Sequence, residues 1–127
     1  MKKLLLSLLL LTLAAQAWAG DAKESAFDRV MRTGTLRCAY IVYPPETIKD
    51  PNTGMLSGTV VDTTEEIGRQ LGWKVEWVTE VGFADMFDGL QTGKYDALCS
   101  GLWENPARAK KALFTIPFNY GDRKSVV

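Results

Sequence analysis

The chain has 127 residues, with 15 Lys+Arg against 15 Asp+Glu, two cysteines and no histidine. Without histidine there is no Ser-His-Asp or Cys-His nucleophile pair and no His-ligated zinc or haem. Two cysteines cannot build a four-cysteine metal site, and zero net charge gives no electrostatic footprint for nucleic acid. At 46% hydrophobic residues the chain is not a disordered tail, and its length fits one compact domain.

Met1-Lys2-Lys3 is a positive start, followed by an apolar run over residues 4–15 and then by Ala17-Trp18-Ala19. That pattern is a secretory leader over residues 1–19, cut after Ala19. The apolar run is too short for a membrane anchor, since 12 residues of helix reach only about 18 Å against a hydrocarbon core of roughly 30 Å. The exported product is then residues 20–127, with Lys2 and Lys3 lost, leaving 13 basic and 15 acidic residues and a net charge of −2. An oxidising compartment permits a disulfide between Cys38 and Cys99. Two buried thiols fit the same residues, because each lies in an apolar, strand-like segment.

The remaining elements alternate. Residues 25–32 read as a short helix with Phe27, Val30 and Met31 on one side, stopped by Thr33-Gly34. Residues 36–42 form a first strand, broken by Tyr43-Pro44-Pro45, and Asp50-Pro51-Asn52-Thr53-Gly54 is dense turn chemistry at the tip of a hairpin-like excursion. A helix opens at Asp62, with Glu65 at capping-box spacing, carries Ile67 and Leu71 on one face and ends at Gly72. Residues 73–79 make a second strand, with Val75, Trp77 and Thr79 on one side. Residues 84–91 make a core helix carrying Met86, Phe87 and Leu90, and residues 95–100 a third strand. Asn105-Pro106 caps a short basic helix through Lys111, and residues 112–116 return as strand or extended chain.

Strand–helix–strand units of this length imply an α/β domain, a mostly parallel sheet flanked by helices, whose ligands bind beyond the carboxyl ends of the strands. The segments leaving the three strands carry Tyr43, then Phe83, then Ser100-Gly101-Leu102-Trp103. Three aromatic residues on one edge of a sheet form a small apolar cleft; each alone favours packing over binding, and it is their shared edge that points to a site. Arg108 lies in the first turn of the next helix, where a cation is mildly disfavoured and free backbone N–H groups attract anions. An arginine there can hold a carboxylate by a bidentate pair; as a surface arginine beside Lys110 and Lys111 it reads equally well as part of a solvated basic face.

Leu36-Arg37-Cys38, Tyr43-Pro44-Pro45, Gly58 with Asp62, Ile67 with Leu71-Gly72, Gly93-Lys94-Tyr95-Asp96-Ala97 and Arg108-Ala109-Lys110-Lys111-Ala112-Leu113-Phe114-Thr115 recur in this order. Together they resemble the amino-terminal lobe of bacterial extracellular solute-binding proteins of family 3, over about residues 25–120. The resemblance implies a periplasmic-binding-protein-like lobe that captures an amino acid or similar small acid for the membrane subunits of an ATP-binding-cassette importer. It implies Tyr43 stacking on the ligand, Phe83 lining the pocket, Ser100 and Gly101 meeting the ligand's polar groups, and Arg108 clamping its carboxylate; Trp103 flanks the ligand in this reading. Neighbouring strands in such a fold make the Cys38–Cys99 disulfide plausible, subject to register.

The sequence also departs from the family pattern. Glu46 stands where an aromatic usually follows the proline, Val60 replaces a frequent aspartate, Trp103 occupies a position often held by a small hydroxyl residue, and Asn105 one often held by threonine. Family members are about twice as long, so residues 20–127 are expected to be a truncated amino-terminal lobe with the second lobe missing and an uncovered apolar face. The expected molecule is a periplasmic monomer that binds a small-molecule ligand, with no cofactor, no metal, no nucleic-acid partner and no catalysis. The alternatives are a dehydratase-like enzyme of the same fold, for which Glu46, Glu80 and Glu104 are the candidate acids, or a ligand-sensing domain.

Overall fold

The computed structural model describes residues 24–118, so the expected leader over residues 1–19 lies outside the described residues. Helix α1 (Ala26–Thr33) begins where the Ser25 side chain accepts a hydrogen bond from the Asp28 N–H at 3.0 Å. It ends at Gly34, whose left-handed conformation lets its N–H reach the Val30 carbonyl at 2.8 Å. The chain then enters β1 (Thr35–Tyr40), makes a two-stranded antiparallel excursion through β2 (Ile48–Lys49) and β3 (Leu56–Ser57), and continues as α2 (Thr59–Leu71) and β4 (Lys74–Glu80). The short elements α3 (Asp88–Thr92), β5 (Ala97–Leu98) and α4 (Pro106–Ala109) follow.

The main sheet has the order β4-β1-β5 and is parallel throughout, in agreement with the strand–helix alternation. Thr35 pairs with Lys74 and Tyr40 with Glu80, with an irregularity between Cys38 and Ala39; on the other side Cys38 pairs with Ala97 and Ala39 with Leu98. That register brings Cys38 and Cys99 together in a disulfide with their Cα atoms 5.5 Å apart, within the range such a bridge needs. At the tip of the excursion the Asp50 carboxylate accepts the Asn52 and Thr53 N–H groups, both at 2.8 Å. These bonds hold its pKa below the ordinary value.

Three elements differ from the sequence reading. Helix α2 starts at Thr59 rather than Asp62, and no capping box forms. Its first turn is closed by the Glu46 carbonyl, which accepts the Val60 N–H at 3.0 Å. Gly58, at φ 118°, permits this approach, since a Cβ there would lie 2.5 Å from the Glu46 oxygen. Residues 84–87 are turns, so α3 is only the last part of the expected helix; the Asp88 N–H bonds back three residues to Asp85, and Asp85 Oδ1 accepts the Gly82 N–H at 3.0 Å. The third strand is confined to Ala97–Leu98 because the residues flanking it have other duties. Tyr95 is buried with its hydroxyl donating to the Met86 carbonyl at 2.6 Å, and the Asp96 carboxylate accepts from Arg29 and Arg37. Residues 113–117 form no strand.

Ile41, Met86 and Phe87 form the buried centre, with Leu90, Leu98, Leu102, Ala112 and Phe114 packed against it. The face of α2 toward the sheet is Val60, Val61 and Gly68, whose missing Cβ makes room for Val75 of β4. Ile67 and Leu71, expected as a core face, are about half exposed. Ile67 instead borders an apolar hollow of about 690 Å³ also lined by Leu36, Leu98, Leu113 and Ile116. Tyr40 meets Trp77 edge-on with ring centroids 6.1 Å apart, and the Trp77 N–H donates to Glu65, tying β4 to α2.

Candidate functional site

All three strands of the main sheet run the same way, so their carboxyl ends share one edge. Chain leaving β1 reaches Tyr43, held by a reciprocal pair of backbone bonds with buried Thr47 at 2.9 and 3.0 Å. The intervening Pro44–Pro45 bond is cis. Chain leaving β4 is pinned where the Val81 N–H meets the Tyr40 carbonyl at 2.9 Å, and then presents Phe83. Beyond β5 the Cys99 N–H meets the Ala39 carbonyl at 2.9 Å, which fixes the start of Ser100-Gly101.

A cleft of about 460 Å³ opens at this edge. Tyr43, Phe83, Ser100, Gly101, Trp103 and Arg108 all line it, so the structure brings together every residue singled out for ligand contact. Tyr43, Phe83 and Trp103 expose 55%, 57% and 78% of their surfaces. They are aromatic walls open to solvent on one side, not core packing.

Arg108 is half-buried, and its Nη1 donates to the Trp103 carbonyl at 2.9 Å. No carboxylate pairs with it among the described residues. The helix start supplies less than expected, because Asn105 Oδ1 already accepts the Arg108 N–H at 2.9 Å. The guanidinium itself, carrying further donors in a planar fork, is the cation left for an incoming anion.

Sequence reasoning placed Glu46 among candidate acids but not among ligand contacts. In the structure it lines the cleft, half-buried, and its carboxylate lies over Gly101 so closely that a Cβ there would collide with it. Thr59, Val60 and Thr63 of α2 and residues 114–118 also line the cleft. Gly58 was the available signal for the α2 contribution, as a residue able to admit the 45–46 loop against the helix. Glu104 also lines the cleft, whereas Glu80 pairs with Lys49 at 2.9 Å and does not border it.

The strongest charge network lies elsewhere. The Asp96 side chain is 2% exposed and accepts hydrogen bonds from the Arg29 and Arg37 guanidinium groups and from the Arg37 N–H at 2.9 Å. Burial pushes its pKa up, but the arginines outweigh it and hold the carboxyl at about 2. The network ties α1, β1 and the start of β5 together and takes no part in the cleft.

A sequence model of the bacterial extracellular solute-binding proteins, family 3, matches residues 36–127. The chain belongs to this family. A probable amino-acid ABC transporter-binding protein from Haemophilus influenzae is 38% identical over 122 residues, covering 94% of this chain and 46% of the relative. The chain spans less than half the length of the curated relatives it matches.

Among solved structures, an ancestral cyclohexadienyl dehydratase (AncCDT-3) is 33% identical with a TM-score of 0.67, over 76% of this chain and 39% of that one. The arginine-bound form of domain 1 from TmArgBP is 31% identical with a TM-score of 0.58, over 65% of each chain. These neighbours make the fold a periplasmic-binding-protein-like α/β lobe. They also show that solute-binding proteins of family 3 have both binding proteins and a dehydratase among their structural relatives.

Proposed function

We propose that this chain is the ligand-binding lobe of a periplasmic solute-binding component of an ATP-binding-cassette importer, which holds an amino acid or similar carboxylate-bearing solute without transforming it. The observation that carries the reading is Arg108, an arginine with no carboxylate partner among the described residues, in a cleft walled by Tyr43, Phe83 and Trp103. A bidentate pair from its guanidinium orients the ligand's carboxylate. The aromatic faces cover the ligand's apolar part, and Ser100 and Gly101 offer polar groups to the rest. Small-molecule sites generally have this composition, mostly apolar walls with a few convergent polar groups.

Residues 1–19 act as the cleaved leader and residues 20–127 as an amino-terminal lobe. The membrane subunits of the importer are the partners of a full-length form. The arginine-bound domain 1 of TmArgBP supports binding by a lobe of this kind.

Likeness to the ancestral dehydratase, with Glu46 and Glu104 at the cleft, favours a second reading as an enzyme. Heteronuclear NMR titration of the chain with a panel of amino acids and small organic acids, followed by product analysis, separates the two. Shifts at Tyr43, Trp103 and Arg108 that vanish in Arg108→Ala, with the ligand recovered unchanged, are the expected result. Turnover abolished by a Glu→Gln substitution at position 46 or 104 would establish the enzyme instead.

A further inference from the structure

We propose that Cys99 is a thiol-exchange site, at which a small thiol entering the hollow beside β5 forms a mixed disulfide while Cys38 stays shielded. The sheet order β4-β1-β5 leaves β5 at an edge, with no strand beyond it among the described residues. A hollow of about 690 Å³ runs along that edge. Residues 96–99 all line it, and successive strand side chains point to opposite faces, so the space wraps around the edge instead of lying on one face. The two cysteines differ in access. Cys38, in the central strand, has no exposed surface, whereas Cys99 is half-buried and borders the hollow.

A thiolate attacks a disulfide sulfur in line with the bond that breaks. The direction from Cys38 to Cys99 leads from the central strand to the edge strand, and beyond that edge lies the hollow. Attack on Cys99 therefore comes from open space. Attack on Cys38 would have to come from the β4 side, where Cys38 is paired with Trp77. In the exchange the incoming sulfur bonds to the Cys99 sulfur, the Cys38–Cys99 bond breaks, and Cys38 leaves as a thiolate that takes a proton from water. No net oxidant or reductant is consumed. Renewed attack by the Cys38 thiolate on the mixed disulfide expels the small thiol and restores the bridge, so the modification is reversible. Burial of the departing thiolate slows the exchange without redirecting it, because access selects the sulfur that is attacked. Ser100, Leu102 and Phe114 line both the hollow and the candidate cleft, so the adduct sits against a wall that the two share.

Reduced glutathione, added to the purified, oxidised chain in native buffer, is the probe. After acid quench and denaturation, alkylation marks free thiols and peptide mass spectrometry reads which cysteine holds glutathione. Glutathione on Cys99 with the alkyl label on Cys38 is expected to exceed the reverse pattern by roughly tenfold or more, since access decides the point of attack. In urea that unfolds the chain the two patterns should approach equality. Single-cysteine variants give a second reading with oxidised glutathione. The thiol left in Cys38→Ser should be modified roughly tenfold or more faster than the one left in Cys99→Ser, a difference that vanishes in urea. Modification of Cys38 as readily as Cys99 in the native wild-type chain would overturn the proposal. So would a wild-type chain that gains no glutathione until urea unfolds it, together with a Cys38→Ser thiol equally inert in native buffer.

Discussion

Arg108 Nη1 donates a 2.9 Å hydrogen bond to the carbonyl oxygen of Trp103, five residues earlier in the chain. The bond orients the guanidinium with part of its donor fork committed to the loop that carries the cleft's most exposed aromatic. Replacing Arg108 by Ala is expected to lower affinity for a carboxylate ligand by about tenfold to a hundredfold, the scale of charged hydrogen bonds. Arg108→Lys keeps the charge but not the fork and should recover only part of the loss. Titration calorimetry measures both, and thermal unfolding should show little change, since no ion pair is removed.

The disulfide links residues 61 apart, directly between the centre of the sheet and its edge at the cleft. Closing a loop of that length removes denatured-state entropy worth about 4 kcal/mol in the chain-entropy model. Urea unfolding with and without reductant should show a stability loss of that order, matched by Cys38→Ser. Ligand affinity should fall as well, because Cys99 immediately precedes Ser100 and Gly101.

Asp96 makes stability depend on acid. Its carboxyl titrates at about 2 in the folded chain against an ordinary value of 3.8, so the folded state holds its proton less tightly than the unfolded state. The resulting stabilisation, on the order of 2 kcal/mol, is fully present well above pH 3.8 and is lost as pH falls from 3.8 through about 2. Chemical denaturation between pH 5 and pH 2 should show that decline. Asp96→Asn should flatten this part of the curve and cost on the order of 3 kcal/mol at neutral pH, because Arg29 and Arg37 lose their shared partner.

Gly89 lies against the Tyr95 ring, where a Cβ would collide with Cδ1, Cε1 and Cζ. Tyr95 cannot retreat easily, being 2% exposed and bonded through its hydroxyl to the Met86 carbonyl. Gly89→Ala is expected to destabilise the fold by about 2 kcal/mol or more by overpacking. Equilibrium unfolding reads the loss, and the near-ultraviolet signal of Tyr95 should change with it.

Much of this molecule was legible because its signals are local. The stops at Gly34 and Gly72 and the Asn105-Pro106 helix start each act within a few residues, and each stands where the pattern put it. The gathering of Tyr43, Phe83 and the segment over residues 100–103 followed from alternation, since parallel strands bring successive loops to one edge whatever the side chains do; the contributions of Glu46 and α2 to the cleft did not. The onset of α2 was misread for the opposite reason. Its Asp62 and Glu65 match a local capping pattern, but the cap is a carbonyl from residue 46, reached only through Gly58.

By itself the sequence determined the α/β class, the parallel sheet, the residues gathered at its edge and the family, because periodicity, turn chemistry and motif order are properties of neighbouring residues. Tertiary structure decided the register that joins Cys38 to Cys99, the three-way pairing at Asp96, the true start of α2 and the placement of Glu46 over Gly101. Each of these joins groups far apart in the chain. Their meeting depends on hydrogen-bond pairing between strands and on steric room at single glycines, neither of which is written in a local stretch of sequence.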